Sequence, residues 1–150
     1  QRRARIDELA EANAKRRVEE LEELYGMHTV AKHNPEIPDA ALKQRSIDGS
    51  HPTKPGVMER VNSSSQFNSW LLQLHAINDA VSRMNRNPPA PTGFTAGGDP
   101  IVRKEMLNAG RGYKPNNRDR NNPRYVDVLN YSEVRFRRQD VKKPYTAFPD

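Results

Sequence analysis

The sequence predicts a mainly α-helical, extended, non-globular chain with long irregular segments. Two longer helices, at about 4–25 and 64–86, and one short helix at about 100–109 precede a largely irregular C-terminal third. Three observations lead there. Leu, Ile, Val and Phe make up only 28 of 150 residues, just under the roughly 20% below which a chain struggles to build a core. Twelve prolines divide the chain, and its clearest apolar periodicity has the helical repeat. No self-contained globular domain is expected, so ordering would come from partners.

Along 1–26, Ile6, Leu9, Ala10, Ala14, Val18, Leu21, Leu24 and Tyr25 fall on one side of a helix, and Gly26 stands where a C-terminal cap belongs. Its charges run against the helix dipole, with Arg2, Arg3 and Arg5 at the start and Glu19, Glu20, Glu22 and Glu23 at the end. That order suits a helix that continues upstream or is held by a partner. Residues 27–62 lose all periodicity around Pro35, Pro38, Pro52 and Pro55 and read as an extended linker, with one helical turn at Ala40 to Arg45.

Residues 63–87 form the anchoring helix. Ser63 and Gln66 suggest a capping box, and Phe67, Trp70, Leu71, Leu74, Ile77 and Val81 follow on one face, with Met84 beyond them. This is the strongest apolar stripe in the chain and the expected partner anchor. A small two-helix core made with the first helix is the equal alternative. Residues 88–110 combine a Pro/Gly connector with a nine-residue helix framed by Asp99, Pro100 and Gly110.

Residues 111–150 form the basic, extended tail. Val126 and Val128, then Val134 and Phe136, alternate with polar residues and allow one or two short strands, whose pairing the pattern leaves open. Tyr145 and Phe148, set between prolines, are the tail's aromatic anchors.

The net charge of +6 comes wholly from the last fifty residues, which hold twelve basic and six acidic side chains. Arg111, Arg118, Arg120, Arg124, Arg135, Arg137 and Arg138, interleaved with Tyr113, Tyr125, Tyr131 and Phe136, suit contact with an acidic partner. Arg pairs with carboxylates on a protein surface and equally with phosphates and bases.

Several chemistries find no support. There is no cysteine for a disulfide or thiol nucleophile. His28, His33, His51 and His75 lack zinc-ligand spacing. Gly93 to Gly98 lacks the ending of a phosphate loop, and no apolar run is long enough to span a bilayer. The expectation is a non-catalytic structural subunit with no cofactor and no metal. It would thread through a large intracellular assembly, cytoskeletal or organellar, and staple folded subunits with acidic surfaces. A microtubule-associated protein fits most specifically. An RNA-contacting peripheral ribosomal protein, or a linker subunit of a photosynthetic or respiratory complex, is the alternative.

Overall fold

The computed structural model describes residues 2–60 and 63–150, with side chains from residue 5 onward; within these bounds the chain folds on itself around a curled antiparallel sheet. Helix α1 (Arg2–Tyr25) is followed by α2 (Thr29–His33), α3 (Asp39–Asp48), strand β1 (Ser64–Phe67), helix α4 (Trp70–Met84), and strands β2 (Gly93–Phe94), β3 (Pro100–Lys114), β4 (Arg124–Arg137) and β5 (Asp140–Pro149). The sheet order is β1-β3-β4-β5, with β2 also paired to β3. The expected helical, extended architecture is therefore replaced by a compact α/β fold.

The sheet curls because β3 is irregular where it crosses its middle. Its register with β4 slips between Glu105 and Gly110 and again between Gly110 and Gly112. Asn108 sits there at φ 55°, a left-handed conformation that Asn tolerates. Asn130 Oδ1 accepts its backbone N–H at 2.9 Å, and the Asn68 amide donates to its carbonyl oxygen at 2.9 Å. Such a bulge bends a strand and increases its twist. Bending brings the end of β5 and the backbone of β1 over β3, so a Cβ on Gly110 would lie 2.3 Å from the Gln66 carbonyl oxygen and 2.4 Å from Pro149. On Gly112 it would lie 2.2 Å from the Ser64 carbonyl oxygen.

Helix α4 lies in the curl and α1 covers α4. One apolar cluster joins Ala14, Val18 and Leu21 of α1 to Trp70, Ile77 and Met84 of α4 and to Val102, Val134, Phe136 and Ala147 of the sheet. Scarcity of Leu and Val is offset by small and flexible residues, since Ala14, Ala76, Ala80, Ala109 and Ala147 and three methionines are buried as well. Ala lets backbones approach closely, and Met fills irregular gaps. Buried polar side chains complete the interior. The Gln66 amide donates to the Asn34 and Ile37 carbonyls and accepts from Arg111, while Gln73 donates to Thr29.

The α1 expectation agrees with the observed helix, whose Gly26 takes φ 66°. Helix α4 starts later than expected. Ser64–Phe67 is a strand, and Ser69 is the cap, its hydroxyl accepting from the Leu72 N–H at 3.1 Å. The 27–62 linker instead holds α2 and α3, the latter containing the predicted turn at Ala40 to Arg45. The expected helix at 100–109 is part of β3. Val102 and Met106, four residues apart, share a face in a helix and in a strand alike. The tail expected to be irregular is instead the end of β3 and two long strands, β4 paired to β3 and β5 paired to β4.

Candidate functional site

The seven arginines expected to act together are dispersed. Arg111 donates from Nε to Gln66 Oε1 at 2.9 Å inside the fold. Arg137 caps α1 by donating to the carbonyls of Tyr25 and Gly26 at 3.2 and 3.1 Å, where the last helical oxygens lack partners. Arg138 donates to the Gly97 carbonyl at 2.8 Å, and Arg135 pairs through Nε with Glu133 at 2.7 Å. Arg118, Arg120 and Arg124 remain at the far end of the β3–β4 hairpin. Arg124 and Arg137 stand at opposite ends of a 14-residue strand, about 40 Å apart when extended.

This distal hairpin, from Lys114 through the turn to Arg124, is a cationic exposed feature of the described surface. Its turn is built by two Asx motifs. Asn116 Oδ1 accepts from the Arg118 N–H, and Asp119 Oδ1 from the Asn121 N–H, both at 3.0 Å. Short polar side chains that bond their own backbone two residues on are the usual material of such turns. Lys114, Arg118, Arg120 and Arg124 are exposed, and the ion pairs of the described residues lie elsewhere. At its root the hairpin is stiffened by Tyr113 and Tyr125, cross-strand partners with ring centroids 5.3 Å apart. Burial and the Asp39 carboxylate push the Tyr113 hydroxyl up to about 12, so it stays a donor to Asp39 at 2.8 and 2.9 Å. Tyr125 and Val128 are half exposed, at 49% and 47%, and give the arm an apolar side beside its charge.

The expected anchoring residues turn inward. Phe67 and Ile77 are wholly buried and Trp70 is nearly so, while Leu74 and Val81 pack against the same cluster. Only Leu71 is exposed. The long helices pack on each other, which was the alternative to a partner-facing stripe. Trp70 touches the surface at the floor of an open groove between α1 and the α2–α3 connection, flanked by Asp7, Glu8, Glu11 and Glu36. There its indole donates to Glu36 at 2.9 Å, and Lys15 pairs with the same carboxylate at 2.8 Å. The tail anchors are also used internally. Tyr145 donates to Asp99 at 2.9 Å, and Phe148 lies under His33 and Arg135.

Residues that sequence reasoning passed over carry much of the internal electrostatics. Glu59 accepts from Lys32 at 2.8 Å and from Arg45 at 3.0 Å, and these bonds bring its carboxyl down to about 2. His33 donates from Nδ1 to the Ser65 carbonyl oxygen at 2.8 Å, and burial brings its ring down to about 4. A neutral ring beside a carbonyl carries its proton on Nδ1. Nothing in the sequence around Glu59 or His33 distinguishes them, because their partners lie far along the chain.

Among the described residues no group of three or more His, Asp or Glu side chains is arranged to hold a metal ion, and no helix is long and apolar enough to cross a membrane. Comparison with protein-family models, curated proteins and solved structures gave no match.

Proposed function

We propose that the chain is a non-catalytic subunit of a larger assembly that presents the β3–β4 hairpin, as a cationic arm, to the acidic surface of a folded protein partner. The observation that supports this most is the division of the arginines. Of the seven considered above, Arg111, Arg135, Arg137 and Arg138 are occupied by carbonyls, amides and carboxylates, whereas Arg118, Arg120 and Arg124 on the arm are exposed without ion pairs. Arg with adjoining Tyr is the composition that interfaces favour, through bidentate pairing and large rigid contact area. The reading keeps the expected acidic partner and structural role but not the threading geometry.

The test is site-specific photocross-linking in the native cellular context. A photoreactive residue at Asn117 or Asn121 is expected to give discrete protein adducts that resist nuclease. One at Gln139, in the β4–β5 turn, is expected to give none. Changing Arg118, Arg120 and Arg124 together to Glu should remove the adducts while leaving the melting temperature within a few degrees. Adducts that persist after this reversal would overturn the proposal, and adducts destroyed by ribonuclease would replace the protein partner with RNA.

A further inference from the structure

A second feature, away from the arm, is an open cavity of about 340 Å³ where α2, α3, β1, β4 and β5 meet. Its walls include His28, Lys32, His33, Arg45, Arg135 and Tyr145, and none of the lining residues carries a carboxylate. Arg45 is 4% exposed, so a permanent cation has been placed at a wall that water barely reaches. Such a charge is tolerated only when it is paired. Its partner is Glu59, which reaches in from the loop after α3 and holds Arg45 and Lys32 together. Arg135 brings a third cation from β4, bonded through Nε to Glu133 and seated over the Phe148 ring at 5.1 Å. A concave site lined by one sign of charge concentrates its field on whatever enters. Burial chiefly, with the neighbouring cations adding to it, holds both His28 and His33 below the ordinary histidine value.

We propose that this cavity binds a small organic carboxylate. The Lys32–Arg45 pair is spaced to hold two oxygens of one carboxylate, as Glu59 shows at 2.8 and 3.0 Å. Glu59 is thus the internal stand-in for the ligand's headgroup. An entering carboxylate shares these cations or displaces Glu59 from them, with the Arg135 guanidinium, bonded to Glu133 through Nε, offering its remaining N–H groups. The Phe148 and Tyr145 side chains offer an apolar wall to the ligand's body. The volume lies near the lower end of small-molecule sites, which fits a ligand of roughly benzoate size and excludes nucleotides.

Sodium benzoate is the probe, with sodium chloride and uncharged benzamide as controls, in thermal-shift titrations at pH 7 on the whole chain. Glu59→Gln removes the stand-in and leaves the cations. Benzoate is expected to raise the melting temperature of this variant saturably, while the controls do not. Wild type should need at least about fivefold more benzoate for half the effect, and Glu59→Gln combined with Arg135→Gln should lose the response tenfold or more. If Glu59→Gln does not fold without an added anion, the same comparison is made on refolding yield, where recovery by benzoate and not by benzamide supports the site. Absence of a benzoate-specific effect on Glu59→Gln overturns the proposal, as does a response that Arg135→Gln leaves unchanged. Stronger stabilisation by inorganic phosphate at equal concentration would overturn the carboxylate assignment.

Discussion

His33 and Glu59 make the region around α2 acid-sensitive, and they do so over different pH ranges. The His33 ring stays neutral in the fold down to about 4 against an ordinary value of 6.5. Below 6.5 the unfolded chain takes up a proton that the folded chain refuses, so stability falls as pH drops from 6.5 towards 4. The loss approaches roughly 3 kcal/mol. Glu59 stays ionised in the fold to about 2 against 4.5; its contribution is present above 4.5 and is lost as pH falls from there. Urea midpoints should therefore decline from pH 7 to pH 5 mainly through histidine and steepen below 4.5. His33→Gln can still donate to the Ser65 carbonyl and should flatten the upper part, leaving the smaller slope from His28 and His51, which burial also holds down. An unchanged slope in His33→Gln would contradict this assignment. The glycines crossed by β1 and β5 are a second residue-scale constraint. Gly112→Ala would place a methyl 2.2 Å from the Ser64 carbonyl oxygen, and a loss of about 3 kcal/mol or more in chemical denaturation is expected, since backbone rather than a flexible side chain must yield. Neither constraint is visible locally, for Gly-Arg-Gly reads equally as a loop.

Two carboxylates of α1, whose charge order runs against its own dipole, serve the starts of other helices. Glu11 accepts from the backbone N–H groups of Trp70 and Leu71 at 2.5 and 3.1 Å, at the start of α4. Three turns on, Glu22 accepts from Val30 and Ala31 at 2.5 and 3.3 Å, at the start of α2. A carboxylate at a helix N-terminus satisfies orphan donors and meets the positive end of the dipole. Burial raises the Glu22 carboxyl against these bonds, so part of its contribution is spent on desolvation, whereas Glu11 lies at the groove edge. Glu11→Ala should thus cost about 1–3 kcal/mol in thermal or urea unfolding, and Glu22→Ala less. The reverse order would show that burial of Glu22 is not a net penalty. These elements also show what the sequence made legible. Helices α1 and α4 were readable because their stripes repeat at 3.6 over several turns. Strand β3 was not, because Val102 and Met106 satisfy both periods and its real alternation passes through Lys104, a charged residue that reaches Asp79 at 3.1 Å instead of marking the pattern with an apolar side chain. Strands β4 and β5 were read only as fragments, since their bulges interrupt the alternation. Of the site, the cationic character of the C-terminal third was legible, but not its partition into capping, core and arm. That partition depends on where a 14-residue strand begins and ends.

At the scale of the whole molecule, composition suggested a chain unable to fold by itself, yet the fold joins α1, α4 and four strands in one cluster, half of whose buried members are Ala or Met. An interior of this kind predicts a cooperative, two-state transition for the isolated chain, with an unfolding enthalpy on the order of 100 kcal/mol. The arm stands apart from that unit. The turn residues from Asn116 to Asn122 bond among themselves, and those from 117 to 122 are exposed. Lys114 and Arg124 face each other in register at its base, so residues 115–123 can be replaced by Asn-Gly, the two-residue turn that suits a twisted hairpin. The shortened chain should melt in the same single transition within about 3 °C of wild type, while losing co-purification of the protein partner identified by cross-linking at the arm. A drop of 10 °C or more would show that the turn belongs to the folding unit. Retained partner binding in a normally stable shortened chain would place the docking surface on the body of the fold.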